Sequence, residues 1–270
     1  MKRWLCLFML ALPWQGSAVA ETRGALLLGI NEGVAAQQSA PELQEKYKGL
    51  AAYLATVLKK PVHVESSQSM GGSANSLKNA RYDLMYVRPS NVAAKAMRDN
   101  HYTLVATVKG EFTAAFIVNK DSPLKKPEDI RGLRIAMSEP KSLMAKAGLA
   151  TLRDMGIDPK SQQIHSTRYQ EAVGYMVQQK FADVGVVAPI LAQGWEKKGG
   201  TVLFKSRKLP FWSVISAPGM SPENAARVRQ ALINLETADA GRAILARMGV
   251  KGFVAGNQQD YLDMLKWLGE

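Results

Sequence analysis

Short apolar runs and amphipathic stretches alternate along this chain. Ala25-Leu26-Leu27-Leu28-Gly29-Ile30 is unbroken and apolar and ends in Asn31-Glu32-Gly33, the pattern of a buried strand followed by a turn. Ser39-Ala40-Pro41-Glu42 then opens a helix, with a capping-box spacing and a proline in the first turn. Leu43, Tyr47, Leu50, Ala51, Leu54 and Leu58 recur every three or four residues and give that helix one apolar face. Lys59-Lys60-Pro61 stops it, and Val62-His63-Val64-Glu65 reads as a second strand. Strand, helix and strand in this order predict a parallel unit. A polar stretch over 66–76 leads into a short helix; Ser73, after Gly71-Gly72, resembles an anion-binding glycine turn but reads first as part of a flexible surface loop. A strand over 82–87 is interrupted by Arg88-Pro89-Ser90-Asn91. A helix to residue 100, a strand over 102–108, a turn at Lys109-Gly110-Glu111 and a strand over 112–119 follow.

The same logic repeats in the next hundred residues. From Asp121 to Gly156 the pattern is turn, short helix, buried strand, loop and long helix, with Gly156 as the terminating glycine. The loop Met137-Ser138-Glu139-Pro140-Lys141-Ser142 joins that strand to that helix. At such a junction the unpaired N–H groups of the first helical turn point outward and can hold an anion. Further strands are predicted over 163–166, 182–187 and 201–204, and helices over 169–179 and 189–198. A basic, proline-containing connection over 205–211 leads to a strand over 212–217 and to helices near 221–236, 241–248 and 260–268. These last helices have no matching strands and are expected to pack back on the first half. The fold class is therefore α/β with two lobes, each a mainly parallel sheet flanked by helices. Lobe 1 is expected from 21–110 and 212–270, lobe 2 from 111–211, with crossovers near 110–113 and 209–213.

The 270 residues are enough for two cores. At the N-terminus Lys2 and Arg3 precede an apolar stretch over 4–13 and Ala18-Val19-Ala20, the form of a signal peptide cleaved after Ala20. That apolar stretch is too short to span a bilayer, so a soluble protein of the periplasm is expected. The only cysteine, Cys6, lies inside this segment, leaving no thiol for a disulfide, a nucleophile or a metal. Net charge is +12, but the basic residues are scattered, and export argues against nucleic acid as a partner. His63, His101 and His165 have no ligand spacing, so no metal or cofactor is expected. Nucleophile elbow, phosphate loop and triad motifs are absent from the sequence, which gives no reason to expect an enzyme.

Several segments carry a family resemblance. They are Gly29-Ile30-Asn31-Glu32, Lys46-Tyr47-Lys48-Gly49-Leu50-Ala51-Ala52-Tyr53-Leu54 and Tyr82-Asp83-Leu84-Met85-Tyr86-Val87-Arg88-Pro89. To these are added Asp121-Ser122-Pro123-Leu124 with Pro127-Glu128-Asp129-Ile130-Arg131-Gly132, and Phe181-Ala182-Asp183-Val184-Gly185-Val186-Val187. Together they resemble the phosphate/phosphite/phosphonate-binding family of periplasmic ABC-transporter solute-binding proteins. The resemblance implies two lobes that close on a ligand like a hinged clamp. Its cleft loops would be 31–33, 88–92, 138–143, 166–170 and 187–189, at the strand ends where open α/β sheets bind ligands. It implies capture of a small anionic solute, phosphonate- or phosphate-like or another oxyanion or carboxylate, by a monomer. The partner would be an ABC permease in the inner membrane, or alternatively a membrane histidine kinase that senses the liganded form. Relatives carry Ser-Thr-Ser-Gly where this chain has Ser142-Leu143-Met144-Ala145. Val92 replaces a tyrosine, Tyr169 a histidine and Ala188 an acid, so a ligand other than the family's usual one is expected.

The candidate ligand residues follow from these loops. Arg88 offers a bidentate fork for an oxyanion, or else a structural salt bridge at the loop base. Ser142 can donate to a ligand or cap its own helix, and both can hold at once. Ser138 and Lys141 share that loop, Lys141 as a binding or a solvated cation. Asn31 closes the first strand. Tyr47 lies on the apolar helix face, where core packing is the default and a reach into the cleft is what the resemblance implies. Tyr86, Ser90, Asn91 and Tyr169 are candidate wall residues, and Trp212 stands at the expected hinge.

Overall fold

The computed structural model describes residues 24–33, 39–67 and 70–270; the targeting segment read at 1–20, with Cys6, lies outside them. The first part of the chain forms β1 (Leu26–Asn31), α1 (Ala40–Leu58), β2 (Val62–Ser66), α2 (Met70–Lys78), β3 (Leu84–Val87), α3 (Ser90–Asn100) and β4 (Thr103–Val108). It then crosses and forms β5 (Ala115–Val118), β6 (Arg134–Ser138), α4 (Leu143–Asp154), β7 (Gln163–Thr167), α5 (Gln170–Gln178), β8 (Val184–Val187), α6 (Pro189–Lys197) and β9 (Thr201–Lys205). After returning it adds β10 (Ser213–Ser216), α7 (Pro222–Asn234), α8 (Asp239–Met248), β11 (Phe253–Val254) and α9 (Gln258–Leu268).

Two sheets result, ordered β11-β4-β10-β3-β1-β2 and β7-β6-β8-β5-β9. In the first, β2, β1 and β3 pair in parallel, and β10 inserts antiparallel between β3 and β4. In the second, β7, β6 and β8 pair in parallel, and β5 inserts antiparallel between β8 and β9. Each inserted strand is the first one made after a crossing. The central strands β3, β5, β8 and β10 are buried along their whole length, as strands covered on both faces must be.

Local sequence accounts for most elements. Ser39 and Glu42 form the reciprocal capping box of α1, whose buried residues are the six that recur at helical spacing. Lys59 ends α1 in the left-handed conformation, and Gly249 and Gly269 do the same for α8 and α9. Gly185 on β8 is required by close approach rather than by its dihedrals. A Cβ there would lie 2.8 Å from Val173 and 2.9 Å from Val177 of α5.

Three expectations need correcting. Ser73 is not on a surface loop: it lies in α2, buried, hydrogen-bonded to Asn31 and Ser67. The polar, glycine-containing stretch concealed this because its hydroxyls are satisfied internally rather than by water. The C-terminal helices are not without a strand, since β11 pairs with β4 through two residues. They also do not all pack on the first half. α7 and α8 lie on α1, but α9 packs on both α3 and α4. There Arg153 donates to the Trp267 carbonyl, Trp267 donates to Asp154, and Glu270 takes Lys95 and Lys146.

Candidate functional site

The carboxyl ends of β1, β3, β6 and β8 converge on a cleft between the two sheets. Its lining includes Asn31, Glu32, Arg88 and Asn91 on one side and Ser142, Leu143, Met144, Gln170, Ala188 and Ile190 on the other. Phe112 and Trp212 also line it, and its free space is about 100 Å³, which suits a small solute.

The first wall is polar and built around Glu32. This carboxylate is only 3% exposed, at the turn that ends β1. Lys46 of α1 donates to it at 2.6 Å, the Tyr47 hydroxyl donates to the same oxygen, and Arg88 reaches the other oxygen at 3.2 Å. Burial pushes the Glu32 carboxyl up, and Lys46, Tyr47 and Arg88 together more than offset it, so it is held below the ordinary carboxylate range. Glu32 is therefore an anion in the wall at neutral pH. Arg88 also lies over the Trp212 ring, its guanidinium carbon 3.7 Å from the ring centroid. Salt bridge and stacking together fix the guanidinium plane, and its other N–H groups make no side-chain hydrogen bond among the described residues.

Asn31 contributes to the turn rather than to the cleft's chemistry. Its carbonyl oxygen accepts from the Gly33 N–H at 2.8 Å and its amide donates to Ser73 at 2.9 Å. Asn91 is 4% exposed; its amide donates to Glu270 at 3.2 Å, while its side-chain oxygen has no partner among the described residues. A buried acceptor of this kind on a cleft wall is satisfied at low cost by a ligand N–H or O–H.

The second wall is mostly apolar. Ser142 caps α4 by accepting from the Ala145 N–H at 3.2 Å, and its hydroxyl shares a 2.6 Å hydrogen bond with Ser138. Gln170, at the start of α5, accepts from the Ala188 N–H at 2.9 Å and so holds the entry to α6. Leu143, Met144, Ala188 and the exposed Ile190 supply the remaining surface. Lys141 stands exposed at the rim.

Of the residues singled out from sequence, Asn31, Arg88, Asn91, Lys141 and Ser142 lie on the cleft, as does Trp212. Tyr47, Tyr86, Ser90 and Ser138 lie behind its wall. The Tyr47 and Tyr86 rings pack 5.4 Å apart in the core, and burial pushes the Tyr86 hydroxyl above its ordinary range. Ser90 donates to the Pro210 carbonyl at 2.7 Å and so ties α3 to the return crossing. Ser138 is fully buried. Tyr169 is the residue before α5 and accepts through its carbonyl from Thr167 rather than lining the cleft. Glu32 and Gln170 fall inside the cleft loops read from sequence without being picked as ligand candidates, Met144 reads from sequence as core filler near the cleft, and Phe112 and Ile190 were not singled out. Lys46 and Tyr47, which hold Glu32, read from sequence as an ordinary polar and an ordinary apolar position of α1, so nothing local announced the buried anion.

Among the described residues there is no cluster of three or more His, Cys, Asp or Glu side chains placed to hold a metal, and no helix long and apolar enough to cross a membrane. A search of curated proteins by sequence gives no match. Among solved structures, XAC2383 from Xanthomonas citri bound to ATP aligns with a TM-score of 0.76 at 15% identity, covering 91% of this chain and 97% of that one. PhnD1 from Prochlorococcus marinus in complex with methylphosphonate aligns at 0.71 and 14% identity, over 90% and 97%. The periplasmic aliphatic sulphonate binding protein SsuA from Escherichia coli aligns at 0.61 and 14% identity, over 90% and 83%. These likenesses establish the two-lobed binding-protein fold. Residues 33–261 match the family described as ABC transporter, phosphonate, periplasmic substrate-binding protein, and the chain belongs to that family.

Proposed function

We propose that this protein captures a small organic anion in the periplasm and delivers it to an ABC permease. The observation that carries this reading is Arg88. It is held between Glu32 and the face of Trp212 on the cleft wall, with donor groups left over. A guanidinium fixed in this way loses little freedom on binding and presents a ready fork to an oxyanion. Opposite it, Leu143, Met144 and Ile190 offer apolar surface for an organic substituent rather than a second set of donors. Related structures hold methylphosphonate or are named for aliphatic sulphonates, ligands with one anionic head and one apolar group. The lobes, divided at about 110/111 and 211/212, would close by rotation about the two crossings, with contacts from both walls favouring the closed form.

The test is calorimetric titration against short alkyl phosphonates, alkyl sulfonates and carboxylates, with melting temperature followed alongside. At least one class should bind and raise the melting temperature. Arg88→Met should lower its affinity by roughly 10-fold or more, the loss of a charge-assisted hydrogen bond or two. No binding by any class, or an Arg88→Met protein that binds as well as wild type, refutes the reading.

A further inference from the structure

We infer that Glu32 sets the charge of the ligand this cleft accepts, selecting a monoanion over a dianion of the same shape; this rests on the organic-anion reading above. Glu32 lies on the cleft wall beside the anchoring guanidinium, buried to 3% exposure, with a cation on each carboxylate oxygen. Three formal charges are therefore built into that wall: Lys46 and Arg88 are positive, and Glu32 is negative. One negative charge from a ligand brings the group to neutrality. A second negative charge would sit near the fixed Glu32 carboxylate, which is itself only 3% exposed, so the repulsion is screened less than between two surface charges.

The opposite wall does not correct the balance. Ser142 is occupied with Ser138 and with its own helix, and the Gln170 side-chain oxygen is taken by Ala188. Leu143, Met144, Ala188 and Ile190 offer no polar side-chain atoms, and Lys141 stands out in solvent at the rim. Glu32 does not need to touch the ligand to act. It uses one N–H edge of Arg88 and places its field across the space the ligand head would fill.

Methanesulfonate and methylphosphonate, titrated above the second ionisation of the phosphonate, share a tetrahedral head and one methyl group and differ by one charge. Wild type should bind the sulfonate more tightly. Glu32→Gln should move the affinity ratio toward the phosphonate by roughly 10- to 100-fold, the effect of one unit charge at several ångströms in a partly buried site. Lys46→Met, which removes a positive charge from the same group, should move the ratio the other way and carries the test if Glu32→Gln fails to fold. Both anions binding with a ratio unmoved by either variant overturns the inference and leaves the organic-anion reading standing. A wild type that prefers the dianion overturns it as well. Binding of neither probe, nor of any other organic anion, removes the underlying reading and the inference with it.

Discussion

Replacing Glu270 by Gln keeps the size of the side chain, removes its charge and leaves one acceptor oxygen where Asn91 and the two lysines now use two. In the folded protein that charge lies between Lys95 of α3, 2.5 Å away, and Lys146 of α4, which contacts the same oxygen. The Glu270 side chain is 9% exposed, Lys146 20% and Lys95 42%. An exposed ion pair contributes ~0–1 kcal/mol, and removing one partner of a buried pair costs ~3–5 kcal/mol. The Lys95 contact is solvent-screened and belongs at the low end; the Lys146 contact falls between the two limits. The expected loss is ~1–3 kcal/mol, read from urea unfolding at neutral pH.

The same variant carries a pH signature. Burial raises the Glu270 carboxyl, and Lys146, Lys95 and Asn91 together lower it more, so the net displacement is below the ordinary value. A carboxyl depressed in the folded state stabilises the protein above its unfolded pKa of about 4.3, and that contribution is lost as pH falls through the folded value. The gap between wild type and Glu270→Gln should therefore be full at pH 7 and shrink once the pH drops below about 4. A gap under ~0.5 kcal/mol at neutral pH, or one that stays constant into that acid range, refutes the account of Glu270 as a charged tie between α9, α3 and α4.

Ser142→Ala removes the cap of α4 and leaves the buried Ser138 hydroxyl without its 2.6 Å partner, so a loss of ~1–2 kcal/mol is expected, visible as a lower melting temperature. Gly185→Ala forces a Cβ to within 2.8 Å of Val173 and 2.9 Å of Val177. Both neighbours are β-branched and buried, so the strain should cost ~1–3 kcal/mol and lower the melting temperature by about 2–4 °C per kcal/mol. A melting temperature within error of wild type for either variant would show that the wall yields there.

The alternation of strand and helix was legible because most buried strands are apolar runs and the longer helices carry an apolar stripe, with side-chain caps at α1, α4, α7 and α9. Asn31, Arg88, Asn91 and Ser142 were legible for a related reason: strand ends in parallel sheets face one way, so sequence position fixes their location. Glu32 was not, because a carboxylate in an Asn-Glu-Gly turn is ordinarily solvated. Its burial depends on Lys46, Tyr47 and Arg88, which reach it only in the folded chain. The position of α9 was hidden for the same kind of reason. Its amphipathic pattern shows that one face is buried but not that α3 and α4 share the covering. Ser90 and Ser138 looked like cleft residues because they sit in cleft loops, and what sequence could not supply was the direction of each side chain.

The place of β10 has a consequence for how the protein is made. β3 and β4 lie on either side of it and do not pair with each other. A chain emerging from its N-terminus thus presents β2, β1 and β3 as a sheet fragment with an unpaired inner edge long before its partner strand arrives. The second sheet is contiguous and has every strand once residue 205 is out. The lobe begun second can therefore be the first to finish. The lobe begun first must keep the edge of β3 from pairing wrongly until residues 213–216 fill it. The four residues of β10, rather than any cleft residue, join the two parts of the first sheet, and β11 then completes its edge.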